Sequence, residues 1–294
     1  MSLWTTIADV VARECGARPD IEARRRVGGG SISPAYRVPV GDGDVFVKTG
    51  SVDAGDMFAA EAEALELLGG PGVIRVPQPI GQGVDAEGAF LIMAYIAFGR
   101  AAQGSERALG EGLARIHAVT RAEHGWHRDN TIGSTPQPNR SDHDWARFFA
   151  RQRLGHQLDL VAASGGYDEL VGTGRRLEQR LGGLFEDYVP AASLLHGDLW
   201  GGNVAFDERG RPVIFDPATY FGDRETDLAM TELFGGLGSD FYQAYRATWP
   251  LDAGYERRRD LYQLYHILNH LNLFGRMYES PAQRLIDRLL ATLG

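Results

Sequence analysis

Two short apolar runs, each followed at once by polar residues, place the strongest constraint on this chain. Ser193-Leu194-Leu195 leads into His196 and Asp198, and Pro212-Val213-Ile214-Phe215 leads into Asp216. Apolar runs of this length predict short buried strands, and polar residues that leave such strands for a loop are typical of sites that perform chemistry. Residues 194 to 216 therefore predict a strand-loop-strand unit that carries a reactive loop.

The spacing of the polar residues indicates the kind of chemistry. Asn203 lies five residues after Asp198, the interval of the kinase catalytic loop, in which Asp orients the attacking hydroxyl and Asn holds magnesium. Asp216 would be the second metal ligand, because Mg²⁺ prefers oxygen donors. A lone His-Gly-Asp would be only a turn. The three residues together predict phosphoryl transfer, with Asp198 as the base and Asn203 and Asp216 as magnesium ligands.

Size and composition limit the class of protein. A chain of 294 residues is longer than most single cores, which favours two lobes. A net charge of -9 argues against nucleic acid as a partner. Cys15 is the only cysteine, which excludes an intramolecular disulfide and a cysteine zinc site. The first residues do not resemble a signal peptide, and no run approaches the roughly 18 apolar residues of a membrane span. We expect a cytoplasmic protein with no membrane partner.

A glycine-rich segment, Gly28-Gly29-Gly30-Ser31, lies between two strand-like segments. Glycine lets backbone amides approach a phosphate closely, and nucleotide-binding loops use this property. Such a segment on its own is more often a simple turn. It matches neither the Walker pattern nor the usual Gly-x-Gly-x-x-Gly of kinases.

The next strand, Asp44 to Lys48, gives the glycine-rich segment more weight. It ends in a lysine, and the helix that begins around Asp56 carries Glu61 and Glu63. Kinases hold a strand lysine on the ATP phosphates through an ion pair with a glutamate of the following helix. We pair Lys48 with Glu61, because Glu63 cannot share its helical face.

The apolar run that ends at Ala94, Tyr95 and Ile96 has two interpretations. In a two-lobed kinase it would be the strand that enters the hinge, where backbone groups of these three residues would meet adenine. A plain core strand is equally compatible with the residues themselves.

Helical periodicity dominates the rest of the chain. An opening helix should end near Gly16, residues 145 to 184 should be helical, and Phe241 to Leu293 should form three helices. We expect Asp227 to brace the reactive loop by hydrogen bonds and His117 to be a satisfied core or capping histidine. His266 and His270 lie four residues apart, but we interpret them as core or groove residues rather than metal ligands.

Residues 124 to 144 contain a second kinase-like signature. His127-Arg128-Asp129-Asn130 resembles the His-Arg-Asp motif, but no Asn lies five residues after Asp129 and no apolar strand precedes it, so we reject it. The polar stretch around it could be a sugar-facing wall or an ordered surface loop. Its members are Asn130, Gln137, Asn139, Trp145 and the prolines Pro136 and Pro138.

These motifs together resemble the fructosamine kinase (ketosamine-3-kinase) family, in the aminoglycoside phosphotransferase-like branch of the protein-kinase-like fold. The resemblance extends over nearly the whole chain. It rests on Gly28 to Ser33, Val45-Phe46-Val47-Lys48, Met57 to Glu61, His196-Gly197-Asp198-Leu199-Trp200-Gly201-Gly202-Asn203, Asp216-Pro217-Ala218, Glu225 to Met230, Leu233 to Gly236, and Tyr262 to His270. The extension Leu-Trp-Gly-Gly-Asn is much narrower than His-Gly-Asp alone, and it favours this subfamily.

The resemblance implies an α+β, two-lobed fold with a small antiparallel-sheet N-lobe that has one key helix, and a larger, mainly helical C-lobe. The ATP-binding lobe would span residues 1–97 and the catalytic, substrate-binding lobe residues 98–294. Some members carry cysteine at the position of Ser31, so we expect no redox control through that loop.

The implied activity is Mg²⁺- and ATP-dependent phosphorylation of the 3-hydroxyl of a ketosamine, whose product sheds the sugar. ATP would contact the glycine-rich segment, Lys48 and the hinge, while Trp200 and His196 would contact the sugar-amine. Two alternatives stay open: another small-molecule kinase, acting on an aminoglycoside, choline or a thiosugar, and a pseudokinase that binds nucleotide without turnover. The resemblance does not specify the sugar, the amine or the oligomeric state.

Overall fold

The structure, a computed structural model, describes residues 2–28 and 33–294. The chain divides into two compact units, Met1–Ser105 with Ala205–Asp216, and Glu106–Val204 with Pro217–Gly294. The boundary expected after residue 97 would place residues 205–216 in the second lobe, whereas the structure groups them with the first unit. That return has a physical cause: the Arg75 backbone N–H donates to Pro212 O, and Ile214 N–H donates to Arg75 O.

An antiparallel sheet of five strands is the centre of the first unit. Its spatial order is β1-β2-β3-β5-β4, and every neighbouring pair is antiparallel. The strands are β1 (Arg25–Val27), β2 (Ala35–Val40), β3 (Gly43–Gly50), β4 (Pro79–Asp85) and β5 (Gly88–Ala94). A separate strand pair, Val204–Phe206 with Pro212–Ile214, leads to Asp216.

Two helices accompany this sheet, α1 (Leu3–Cys15) and α2 (Gly55–Gly69), with a 3₁₀ turn at Val52–Ala54. The Ser2 side chain caps α1, and Gly16, with a left-handed φ of 70°, ends it. The predicted end of the opening helix near Gly16 is therefore confirmed.

The packing of α1 determines which side of the sheet presents Lys48. Ile7 and Val11 of α1 belong to the same buried cluster as Val45 and Val47 of β3. Because side chains alternate between the two faces of a strand, Lys48 is directed to the face opposite α1. Residue 48 pairs with Leu91 of β5 on one side and with Ala35 of β2 on the other, so the lysine lies within the sheet.

The second unit is mainly helical, as predicted. Its helices are α3 (Ser105–His117), α4 (Trp145–Phe148), α5 (His156–Ser164), α6 (Asp168–Arg180), α7 (Glu225–Leu233), α8 (Ser239–Thr248), α9 (Tyr255–Phe274) and α10 (Glu279–Thr292). A π-helical segment, Phe149–Gly155, joins α4 to α5. Short 3₁₀ turns lie at Leu181–Leu184, Gly201–Asn203 and Arg276–Tyr278.

Two small sheets complete the second unit. Ala192–Leu194 lies between Phe221–Gly222 and Thr120–Arg121, antiparallel to both. Asn130–Ile132 and Thr135–Gln137 form an antiparallel hairpin. The first of these sheets supports the start of the predicted reactive loop, since residue 194 is the last of its central strand.

Within residues 2–28 and 33–294, none of the helices has the length and apolar character required to cross a membrane.

The burial of His266 on α9 predicts acid-sensitive stability. Burial, with a smaller contribution from His270, lowers the pKa of the His266 imidazole to about 3, so the ring stays neutral in the folded protein. An unfolded histidine titrates near pH 6.5. From that pH downward, this group should lower the free energy of unfolding by up to about 1.4 kcal/mol per pH unit.

Urea unfolding at neutral pH and at about pH 5 measures this effect. The variant His266→Leu should lose less stability on acidification than the wild type. His143→Leu is the control, because the His143 side chain is 75% exposed. Equal acid sensitivity of wild type and His266→Leu would contradict the assignment.

Candidate active site

In the first unit, Lys48 is held by two carboxylates. Its Nζ donates to Glu61 Oε1 at 2.6 Å and to Asp216 Oδ1 at 2.7 Å. Burial alone would lower the pKa of Lys48, but the charges of Glu61 and Asp216 outweigh it and raise the pKa above its ordinary value. The lysine therefore remains a cation, held in the arrangement that a nucleotide-binding lysine requires.

The strand pair that delivers Asp216 is anchored by a buried carboxylate. Asp207 accepts hydrogen bonds from Arg75 Nη1 at 2.9 Å, from Arg211 Nε at 2.8 Å, and from the backbone N–H groups of Arg209 and Arg211. This interaction joins the turn between the two strands to the residue-75 segment. The apolar pattern predicted the strand at Pro212–Ile214 but gave no indication of its partner strand, Val204–Phe206, or of the anchor.

Asp216 itself has a strained backbone. Its φ is 56°, and it is the sole non-glycine residue with positive φ in the part of the chain that the structure describes. A left-handed conformation costs a non-glycine residue about 1–2 kcal/mol. Strain of this kind persists where neighbouring contacts over-determine the geometry, and it occurs often at functional sites.

Of the three predicted hinge residues, Ala94 already uses its backbone donor. Its N–H donates to Gln78 O at 2.8 Å, so it cannot also donate to adenine. Tyr95 and Ile96 lie beyond the end of β5. Their contact with adenine remains a prediction. Gly28 is exposed, whereas Gly29, Gly30 and Ser31 lie outside the described residues.

In the second unit, the loop from His196 to Asn203 is braced by Asp227. The carboxylate of Asp227 accepts the backbone N–H of His196 at 2.8 Å and that of Gly197 at 2.9 Å. Its Oδ2 also lies 3.1 Å from His117 Nε2, and His117 Nδ1 lies 2.7 Å from Tyr245 Oη. The predictions that Asp227 braces the loop and that His117 is a satisfied core residue are both confirmed.

The charge of Asp227 is favoured by these donors. Burial by itself would raise the pKa of the carboxyl, but the hydrogen bond and charge of His117, with the Gly197 amide, lower it below its ordinary value. An ionised acceptor makes stronger hydrogen bonds to the loop amides than a neutral one would.

Asp198 and Asn203 are coupled within the same loop. Asn203 Nδ2 donates to the Asp198 backbone O at 2.9 Å and to Asp198 Oδ2 at 3.2 Å. The Asp198 N–H in turn donates to His196 Nδ1 at 3.3 Å. The interval of five residues thus closes the loop on itself, and Asp198 is half-buried.

His196 does not occupy the position expected of a substrate contact. Its side chain is fully buried, and its ring faces the backbone of the loop. The structure therefore argues against the predicted substrate contact, because a ring with no exposed surface cannot meet a ligand without moving. A role in shaping the turn before Asp198 fits this burial.

Gly197 and Gly202 have steric reasons to be glycine. Gly197 has φ 84°, and a Cβ there would collide with the carbonyl of Ala218. A Cβ on Gly202 would collide with the ring of Trp200, which lies against it. Trp200 is 38% exposed and makes an edge contact with Phe234, with ring centroids 6.1 Å apart. The exposed ring is compatible with its predicted substrate contact.

At three of its residues, the polar stretch after residue 124 fits neither a sugar-facing wall nor a surface loop. Gln137, Asn139 and Trp145 are almost completely buried. Gln137 Nε2 donates to Ala218 O at 3.0 Å, and Asn130 Nδ2 donates to Thr219 O at 2.8 Å. Both interpretations assumed outward-facing polar groups, whereas these side chains satisfy backbone carbonyls inside the unit.

The rejected His-Arg-Asp signature has a structural role. Asp129 Oδ1 accepts the backbone N–H of Asn139 at 2.7 Å. His266 and His270 likewise belong to no group of three or more His, Cys, Asp or Glu side chains suited to a metal, as far as the structure describes the chain.

The chemistry of two side chains fits Mg²⁺. The Asp216 side chain is 44% exposed and offers carboxylate oxygens. Asn203 donates through Nδ2, so the ligand atom it could offer is Oδ1. Magnesium takes only one or two protein side chains when phosphate oxygens and water complete its shell. Both residues have the oxygen donors that such a site needs.

Comparison with known proteins identifies the family. The family model described as fructosamine kinase matches residues 3–292. The chain belongs to the fructosamine kinase family. It is 44% identical to a protein of Synechocystis named "Probable ketoamine kinase", over 98% of this chain and 97% of the relative. It is also 44% identical to the chloroplastic "Protein-ribulosamine 3-kinase" of Arabidopsis thaliana, over 91% of this chain and 82% of the relative.

Solved structures agree with this assignment. A crystal structure from Haemophilus somnus 129PT, provisionally named a fructosamine-3-kinase, superposes with a TM-score of 0.88 at 31% identity and covers 98% of this chain and 97% of its own. Macrolide and aminoglycoside phosphotransferases share the fold at 15% identity. This fructosamine kinase family member therefore has the protein-kinase-like α+β fold and is a phosphotransferase.

Several side chains around the site escaped the sequence analysis. Arg153, Asp207 and Tyr265 are buried polar residues, and each donates or accepts hydrogen bonds near a predicted site segment. No sequence pattern distinguished Arg153, because the segment Phe148 to Leu154 holds two arginines, Arg151 and Arg153, and only the structure shows that the second is buried. A charged residue at a core position indicates a buried polar network.

Proposed function

We propose that this protein transfers the γ-phosphoryl group of ATP to the 3-hydroxyl of a ketosamine, a sugar joined to an amine by glycation. Relatives named for ketoamines and ribulosamines support this substrate class. The phosphorylated product would shed its sugar, so the activity would be deglycation repair. We expect it in the cytoplasm, with no nucleic acid or membrane partner.

The observation that carries the kinase part of the proposal is the ion pair of Lys48 with Glu61, at 2.6 Å. A lysine fixed by a helical glutamate is the device by which kinases place the α- and β-phosphates of ATP. In this proposal Lys48 binds the phosphates, Glu61 orients it, and the glycine-rich segment from Gly28 to Ser31 covers them. Adenine would meet the backbone at Tyr95 and Ile96.

Asp198 is the proposed base. Its carboxylate would accept a hydrogen bond from the substrate hydroxyl and aim that oxygen at the γ-phosphorus. It would take the proton as the new P–O bond forms and the bond from the γ-phosphorus to the departing ADP breaks. Asn203 keeps the carboxylate in one orientation through its hydrogen bond to Oδ2. Most of the rate enhancement would come from this positioning, because little covalent chemistry is required of the protein.

Magnesium, when bound, would neutralise charge on the phosphate oxygens. Asn203 and Asp216 would hold it, each through oxygen. The interaction of Asp216 with Lys48 limits the directions in which its carboxylate can turn.

Trp200 is the proposed contact for the sugar-amine. Its ring is partly exposed two residues after the base. An aromatic face attracts both the C–H groups of a sugar and a protonated amine. Gly202 contributes indirectly, because a residue without a side chain leaves room for the Trp200 ring.

The direct test is magnesium-dependent ATP consumption with fructosyl, ribulosyl and erythrulosyl amines, with an aminoglycoside and choline as controls. We expect turnover of ketosamines alone, and identification of the 3-phosphate would confirm the position of transfer. Turnover of a control alone would keep the kinase and overturn the substrate. No turnover of any compound would favour a pseudokinase.

Asp198→Asn should lower kcat by about 10²–10⁴-fold, the usual contribution of a positioned base. ATP affinity should stay close to that of the wild type, because Lys48 and Glu61 are unchanged. Steady-state kinetics and calorimetric titration with ATP measure the two quantities. Wild-type turnover by this variant would show that Asp198 is not the base.

Gly202→Ala should displace the Trp200 ring and raise the KM for the ketosamine at least several-fold, with little effect on the KM for ATP. Gly201→Ala is the matched control, because a Cβ at Gly201 would meet no atom within 4 Å. Initial rates with each substrate varied in turn measure both constants. Equal changes in the two KM values would show that Trp200 does not contact the sugar-amine specifically.

A further inference from the structure

The buried amide of Gln137 makes three hydrogen bonds. Nε2 donates to Ala218 O at 3.0 Å and to Asn130 Oδ1 at 2.9 Å, and Oε1 accepts from Tyr265 Oη at 2.6 Å. Gln137 is 1% exposed. An amide with both ends engaged in this way cannot rotate without leaving buried groups unsatisfied, which costs about 1–3 kcal/mol for each group.

Further polar side chains hold the neighbours of Gln137. Asn139 Nδ2 donates to Asn130 Oδ1 at 2.8 Å, and Arg153 Nη2 donates to Asn139 Oδ1 at 2.7 Å. Asn130 connects these side chains to the backbone at residue 219, because its Nδ2 donates to Thr219 O. We call Asn130, Gln137, Asn139, Arg153 and Tyr265 the amide network.

Burial of the Arg153 guanidinium carries a large desolvation free energy. Its side chain has no exposure, and its guanidinium lies over the rings of Tyr220, Phe148 and Tyr265, at 3.9, 4.8 and 5.8 Å from their centroids. No carboxylate pairs with it among the residues that the structure describes. It lies in the π-helical segment, an irregularity that is frequent at functional sites. A simple core would bury an apolar residue there at lower cost.

The network acts on the segment that follows Asp216. Both backbone polar groups of Ala218 are hydrogen-bonded. Its N–H donates to His196 O at 2.8 Å, and its carbonyl accepts from Gln137 Nε2. Thr219 O is held by Asn130. These contacts restrain the backbone just two residues after the strained Asp216.

We propose that Gln137 is a positioning residue for phosphoryl transfer: by holding the Ala218 carbonyl, with the rest of the amide network behind it, it fixes the backbone from which Asp216 offers its carboxylate to magnesium. The proposal rests on the proposed function in its use of a magnesium nucleotide. The strained φ of Asp216 requires such support, since the chain would otherwise relax to a less costly conformation. Outer-shell partners of this kind commonly change metal affinity about 10–100-fold when removed.

Tyr265→Phe tests the proposal with the loss of one oxygen atom. Burial raises the pKa of the Tyr265 phenol, so the hydroxyl stays protonated and donates to Gln137. Without it, the Gln137 amide loses the partner that sets its orientation. The measurement is the affinity for ADP by calorimetry, with millimolar magnesium and with a chelator, together with the thermal midpoint.

Tyr255→Phe is the matched control. Both tyrosines are 3% exposed, and the Tyr255 hydroxyl donates to Glu232 Oε1 at 2.8 Å, outside the amide network. We expect both variants to lose similar thermal stability. In Tyr265→Phe alone, the factor by which magnesium tightens ADP binding should fall about tenfold or more, while magnesium-free affinity is unchanged.

Asn130→Asp is a second variant, because it removes the donor to Thr219 O at a half-buried position and keeps the acceptor. It should reproduce the loss of magnesium tightening. An equal effect of magnesium in Tyr265→Phe and Tyr255→Phe, or a parallel fall in magnesium-free affinity, would overturn the proposal. A wild type whose ADP binding ignores magnesium would overturn it too. No ketosamine is used, so failure of the substrate proposal would be seen separately, in the turnover panel.

Discussion

The loop that carries Asp198 depends on one buried carboxylate. Residues 196 and 197 are outside any strand, and their backbone N–H groups find their acceptors in Asp227. Buried amides without acceptors would cost about 1–3 kcal/mol each, so the turn depends on this carboxylate. His117 keeps Asp227 ionised and oriented. The direction in which the proposed base points is thus determined from α3 and α7, well away from it in sequence.

The two units hold their reactive groups by different means. In the first unit, Lys48 is fixed by charge, between Glu61 and Asp216. In the second, Asp198 is fixed by neutral and charge-assisted hydrogen bonds from Asn203 and its own loop. An ion pair suits a lysine that must stay protonated beside phosphates, whereas a base must keep a carboxylate able to accept a proton.

Part of the interior of the second unit is polar, and burying polar side chains is energetically unfavourable unless they are hydrogen-bonded. Asn139, Arg153 and Gln137 could be replaced in principle by apolar side chains that fill the same volume. A satisfied polar network, however, specifies one backbone arrangement where an apolar core would tolerate several. Such specification is useful next to Asp216, whose left-handed φ is unfavourable for its residue type.

The sequence by itself determined the family, the fold class, the pairing of Lys48 with Glu61 and the brace by Asp227. The family and the fold class follow from the resemblance of motifs made of contiguous residues, and the pairing follows from a strand lysine and a glutamate of the next helix. The brace by Asp227 is different, because it joins residues 31 positions apart. Only the tertiary structure revealed that His196 is buried, that Ala94 has no spare donor, and that Gln137 and Asn130 face inward. The side on which a polar residue of an irregular segment lies is set by distant partners, here the carbonyls of residues 218 and 219, and no local pattern encodes such partners.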